Sequence, residues 1–273
     1  MRMVITAVLA AVTAAAGLLS PAHAESAPKV TATEVYLIDA TEGTVRFARR
    51  ETRRVPVASL AKVMTAYVVR KVAPLSDVVT VSASDVRHAV AGGATRAGLR
   101  AGERLTVRDL LYGMMLPSGA DASQALARRY GPGVKRFVAR MNAAARSLGM
   151  KDTWYTNADG LPQTGGDRST ARDQVLLAQA ALRDPVIAQI ADTARHVVAR
   201  TKAHRAHVWR NTNELVPGEA FGVKTGYTRA AGHCLMFAAE RDGHVLIGVL
   251  LGDTSDKARF RTARRLLDTA AAT

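Results

Sequence analysis

HCLMFAAERDGHVLIGVLLGD, residues 233–253, decides the architecture. Two apolar runs, each of strand length, flank Asp242-Gly243, a dipeptide suited to a tight hairpin. Near the other end of the chain, EVYLIDATEGTVRFARR (34–50) alternates apolar and polar residues on either side of Glu42-Gly43, the pattern of a hairpin with one buried face. Isolated hairpins are not stable, so strands at both ends predict one antiparallel sheet assembled from the two halves of the chain. EAFGVKTGYT (219–228) reads as a further late strand, and DKARFRTARRLLDTAAA (256–272) as an amphipathic closing helix.

The chain between these strands reads differently. SLAKVMTAYVVRK (59–71) has helical apolar spacing and is too hydrophobic for a surface helix. From about residue 74 to 205 the pattern is mostly helical. TVRDLLYGMML (106–116) has Thr106 as N-cap and Asp109 in the box position. ASQALARRY (122–130) and VKRFVARMNAAARSLG (134–149) follow. STARDQVLLAQAALRD (169–184) is capped by Ser169 or Thr170, with Pro185 just beyond its end. The expected class is α+β: an antiparallel sheet flanked by helices, carrying a large helical insertion.

Residues 1–24, MRMVITAVLAAVTAAAGLLSPAHA, contain Arg2, an apolar run from Met3 to Leu19 and the triplet Ala22-His23-Ala24, the layout of a secretory signal cleaved after Ala24. As an uncleaved anchor the run is only marginally long enough to span a bilayer. Removing 24 of 273 residues leaves 249, residues 25–273, enough for one large domain or two closely joined lobes with a substantial core. The expected location is secreted or periplasmic, associated with the cell wall. With one cysteine, Cys234, no internal disulfide can form, and its apolar surroundings suit a buried, inert thiol. The formal charge is +15, to which the leader contributes only Arg2. That balance favours anionic surroundings such as wall polymers. The basic residues are scattered and aromatics make up 5%, which argues against a nucleic-acid platform.

Three short motifs carry chemistry. Ser59 and Lys62 are spaced i, i+3 and share one helix face, so a buried lysine amine could take the serine proton. Lys224-Thr225-Gly226 puts a cation, a hydroxyl and an unobstructed backbone in one strand, which suits an extended peptide ending in a carboxylate. Ser118-Gly119-Ala120 lies in a loop within the helical block. Each motif alone also fits a bland role, as a cap with a surface lysine or as a turn.

Taken in order, Ser59-x-x-Lys62, Ser118-x-Ala120 and Lys224-Thr225-Gly226 resemble the signature of the penicillin-recognising serine enzymes. PVASLAKVMTAYVV, GLRAGERLTVRDLLYGMMLPSGADAS, NADGLPQTGGDRSTARD and GVKTGYTRAAGHCLMFAAERDG are most similar to the low-molecular-mass D-alanyl-D-alanine carboxypeptidases. The resemblance implies a β-lactamase/transpeptidase-like fold, a single catalytic domain over 25–273 with no extra C-terminal domain or membrane tail, and a serine peptidase that trims peptidoglycan stem peptides without cofactor or metal. Ser59 would be the nucleophile, Lys62 its base, and Ser118 the link between Lys62 and the leaving amine. Lys224 and Thr225 would hold the terminal carboxylate, and the N–H groups of Ser59 and Tyr227 would form the oxyanion hole. β-Lactams would acylate Ser59. Transpeptidase or endopeptidase action on the same substrate is an alternative, as is a non-catalytic wall-binding protein.

Ala120 departs from the family pattern, where asparagine is expected; a lost amide contact costs about 1 to 3 kcal/mol if a partner stays unpaired. Asp121 reads either as a substitute for that amide or as the cap of ASQALARRY. His204 and His207 lack a third ligand and sit among basic residues, so a metal site is not expected. Asp159-Gly160 reads as a turn and Asp173 as a first-turn helix charge.

Overall fold

The computed structural model describes residues 28–162 and 166–271; the predicted signal lies outside them. Strands β1 (Glu34–Asp39) and β2 (Thr44–Arg49) form the early hairpin, and β7 (Val223–Thr228), β8 (Gly232–Arg241) and β9 (His244–Asp253) come late in the chain. They make one five-stranded antiparallel sheet in the order β2-β1-β9-β8-β7. Val35 pairs with Leu250 and Leu37 with Gly248, so the two ends meet at the centre of the sheet.

The long apolar runs of β8 and β9 follow from burial on both faces. Leu235, Phe237, Leu246 and Leu250 pack against Phe260, Leu266 and Leu267 of the C-terminal helix α8 (Asp256–Ala271). Cys234, Met236, Ile247 and Val249 face the helical lobe, with Met64, Leu110 and Phe137 in the same cluster. Each such side chain contributes about 1.5 to 3 kcal/mol by leaving water. Gly248 pairs with Phe237, whose ring occupies the space a Cβ would need.

In the lobe, α1 (Ala61–Val72) is buried almost all round, which explains its lack of a polar face. Around it lie α2 (Ala83–Ala91), α3 (Val107–Met115), α4 (Ala120–Tyr130), α5 (Val134–Ser147), α6 (Ala171–Leu182) and α7 (Pro185–Ala191). Thr106 accepts from Asp109 N at 3.1 Å, and Thr170 accepts from Asp173 N at 3.0 Å, capping α3 and α6.

The lobe is less uniformly helical than its sequence pattern. Two small ladders interrupt it: β3 (Val78–Thr80) with β4 (Arg104–Thr106), and β5 (Arg195–Val198) with β6 (His207–Arg210). Pro185 does more than follow α6: it opens α7 behind the N-cap Asp184. Glu219–Gly222 are not strand, and β7 begins at Val223.

Candidate active site

Ser59 lies in a tight turn, Ala58–Leu60, that leads into α1. One turn on, Lys62 is 1% exposed. Its Nζ donates to Ser59 Oγ at 2.8 Å and to the Asp159 carbonyl at 2.9 Å. Glycines hold the turn from two sides. A Cβ on Gly160 would overlap the Ala58 carbonyl, and one on Gly226 would lie 3.2 Å from Ser59 N and 3.2 Å from the Ala58 Cβ. The asparagine before Gly160 in NADG fixes that loop, because Asn157 Oδ1 accepts from Asp159 N and Gly160 N.

Two of the four non-glycine residues with positive φ among the described residues are here: Ala58, next to Ser59 (φ 50°), and Ser118 (φ 64°). Left-handed conformations in such residues concentrate at functional sites. Ser118 is 6% exposed, and its Oγ has no hydrogen-bond partner among the described residues.

Ser59, Lys62, Ser118, Thr225, Gly226 and Tyr227 line one cleft of about 600 Å³. Lys224 sits behind the wall, 1% exposed, its Nζ donating to Thr225 O at 3.0 Å. Thr225 Oγ1 and Thr212 Oγ1 are 2.6 Å apart. The Tyr227 side chain is exposed and lies against His233, ring centroids 4.4 Å apart. A larger cavity of about 720 Å³, lined by Leu182, Phe221, Val245 and Ile247 among others, has no serine or lysine in its lining. Chemistry rather than volume picks the cleft.

Several cleft residues escaped the sequence reading. Arg259 reaches the cleft from α8, with Nη1 donating to Gly226 O at 3.1 Å and to Cys234 O at 3.2 Å; its placement depends on how that helix docks. Gly92, Gly93 and Thr95 close the opposite side. Asp159 is more than a turn residue. Its carboxylate is 1% exposed and bonds His88 while its carbonyl bonds Lys62.

Ala120 is fully buried and is not part of the cleft wall; its N–H donates to Thr95 O at 2.9 Å. The N-cap of α4 is Gly119, but the Asp121 carboxylate accepts from the first-turn Ala122 N at 3.0 Å, and it lies outside the cleft lining. The same carboxylate accepts from Ala97 N at 2.8 Å and from Gly98 N and Leu99 N at 3.0 Å each, holding the loop above Ala120.

The local field follows from this packing. Burial pushes the Lys62 amine down to about 8, against the pull of Asp159, Asp121 and Asp167. Burial also drives Lys224 well below its ordinary value, helped by the Lys62 and Arg259 charges. Burial raises Asp167 to about 6 despite its bonds from Thr156. For Asp159 burial pushes up, but the His88 hydrogen bond and Lys62 outweigh it, leaving the carboxyl below its usual range.

His207 packs on Glu103 at 3.3 Å and on the Trp209 ring. Asp39, Glu42 and His244 lie close enough together to hold an ion, but the Arg46 guanidinium already bonds Asp39 at 2.8 Å and Glu42 at 3.3 Å, supplying the positive charge there.

Residues 21–255 match the peptidase S11 family, D-alanyl-D-alanine carboxypeptidase. A D-alanyl-D-alanine carboxypeptidase of Streptomyces sp. (strain K15) is 36% identical over 93% of this chain and 92% of its own length. A D-alanyl-D-alanine endopeptidase of Pseudomonas aeruginosa is 33% identical over 84% of this chain and 73% of its own. The crystal structure of the Streptomyces K15 DD-transpeptidase superposes with a TM-score of 0.85 at 35% identity, covering 90% of this chain and 99% of that one.

Proposed function

The chain belongs to the D-alanyl-D-alanine carboxypeptidase family of serine peptidases, and from that premise we propose that it is exported and removes the terminal D-alanine of peptidoglycan stem peptides through an acyl-enzyme on Ser59, with residues 25–273 acting as one catalytic domain. The observation that carries the mechanism is the 2.8 Å contact between Lys62 Nζ and Ser59 Oγ in a site where burial keeps the amine near neutrality. The secretory layout of residues 1–24 supports export.

Neutral Lys62 takes the Ser59 hydroxyl proton as Oγ bonds to the carbonyl carbon between the two D-alanines. The Ser59 and Tyr227 N–H groups face the developing oxyanion at the positive end of α1. The carbon–nitrogen bond then breaks, and the proton passes from Lys62, by way of Ser118, to the departing D-alanine amine. Water attacks the ester in turn, Lys62 again taking a proton, and Ser59 is regenerated. Thr225 and Thr212, with the Arg259 guanidinium at the cleft and Lys224 behind Thr225, receive the substrate carboxylate.

Transfer of the acyl group to another amine is the second reading, supported by the structural likeness to an enzyme described as a DD-transpeptidase. Incubation with benzylpenicillin should add one drug mass to the peptide containing Ser59, and Ser59→Ala should abolish the adduct; absence of an adduct at saturating drug refutes the mechanism. A D-Ala-D-Ala peptide, with and without added glycine, separates hydrolysis from transfer by its products.

A further inference from the structure

The Asp159 carbonyl that holds Lys62 belongs to a residue with a second attachment. On its other side the Asp159 carboxylate bonds His88 Nε2 of α2 at 2.6 Å, and its remaining oxygen accepts from Leu161 N at 3.2 Å. Leu161 lines the catalytic cleft, and its side chain packs on Gly92, at the C-terminal end of the helix that carries His88. The His88 side chain is 21% exposed and opens into a separate cavity of about 290 Å³ that shares no lining residue with the cleft.

We propose that His88 is a positioning residue for the base, acting through Asp159: the imidazole fixes the carboxylate behind Lys62 and offsets its charge. The proposal rests on Lys62 being the base. A carboxylate next to a lysine favours the ammonium, the form that cannot accept the Ser59 proton. An imidazolium on the far side of that carboxylate cancels part of the effect, and a neutral imidazole does not.

The charges facing His88 are few. Asp159 comes from the loop, Lys62 from α1, and Lys135 from α5 on the cavity wall; Asp85, on its own helix, is paired with Arg128 of α4 at 2.8 Å. The Asp159 hydrogen bond raises His88 above its ordinary value, against burial and the Lys62 charge. The protonated imidazole is therefore favoured beside Asp159 more than in a free histidine.

The test uses the pH profile of acylation by a penicillin. His88→Gln keeps a donor for Asp159 and removes the charge; Asp159→Asn keeps the carbonyl that holds Lys62 and removes the opposite charge. The acidic limb should move up by about half a pH unit or more in the first and down by a similar amount in the second, with the plateau at high pH retained. A purely structural tie would lower the plateau in both variants and leave the limb in place, and that result overturns the proposal. Reciprocity adds a readout that does not depend on turnover: the His88 midpoint, followed by NMR, should rise in Lys62→Met, and an unmoved midpoint refutes the coupling. If Lys62→Met is acylated as fast as the unaltered chain, the base assignment itself fails, an outcome distinct from an unshifted limb.

Discussion

Raising the pH from 7 to 9 should speed acylation of Ser59 about tenfold and then level off. The magnitude comes from the placement of Lys62. Burial lowers the amine to about 8, with Asp159, Asp121 and Asp167 resisting. Neutral base is then about 9% of the total at pH 7 and about 91% at pH 9. An amine at its ordinary value of 10.5 would be neutral in only about 0.03% of molecules at pH 7 and would still be climbing a hundredfold later. The assay is single-turnover acylation by a chromogenic cephalosporin, in buffers of constant ionic strength. A half-point above about pH 10, or a rate flat from pH 6 to 9, would refute the reasoning. The same displacement acts on stability. Because the folded value lies below the unfolded one, the unfolded chain binds more protons between about pH 8 and 10.5. The folded state therefore gains up to about 3 kcal/mol as the pH rises through that window, and below it carries the cost of a buried ammonium.

Other perturbations separate architecture from chemistry. Gly160→Ala forces a Cβ into the Ala58 carbonyl at a φ of 78° and should slow acylation by about a hundredfold or more while lowering the melting temperature; Gly226→Ala, whose contacts are at 3.2 Å, should do much less. Ser118→Ala removes a hydroxyl without a partner among the described residues, so stability measured in urea should change by less than about 0.5 kcal/mol while D-alanine release falls at least tenfold. Asp121→Ala leaves the backbone donors of Ala97, Gly98, Leu99 and Ala122 without their carboxylate acceptor and should cost about 2 kcal/mol or more on thermal unfolding, with loosening of residues 97–99 visible by hydrogen exchange.

What the sequence made legible was regular and local. The β8–β9 turn at Asp242-Gly243 follows from residues adjacent in the chain, as do the hairpin around Glu42-Gly43 and the Thr106 and Thr170 caps. The ladders β3–β4 and β5–β6 have strands of three or four residues, too short for alternation to rise above helical neighbours. In EAFGV the apolar letters suggested strand, but the regular β7–β8 register starts at Val223; before it the chain is tied to β8 by the Phe221 and Gly222 bonds to Ala238, and Ala220 packs in the α8-side core. At the site, Ser59 and Lys62 could be paired by helical spacing. Arg259, His88 and Asp121 could not, because each acts on a segment distant in the chain, and their surroundings exist only once the lobe and sheet have docked.

The placement of β1 beside β9 also governs when the molecule can exist at all. Val35 has only its hairpin partner Arg49 until Leu250 has been made, a wait on the order of ten seconds or more at ordinary synthesis rates. Pairing across so long a span is intrinsically slow. Until then the early hairpin is an unpaired edge, and Ser59 has no β7 at its back, because the Gly226 that packs on it lies in the late part of the chain. An incomplete nascent chain therefore carries Ser59 without a cleft. For the export proposed above, delayed closure would keep the polypeptide threadable through a translocation channel and would tie the first acylation to the arrival of the last strands.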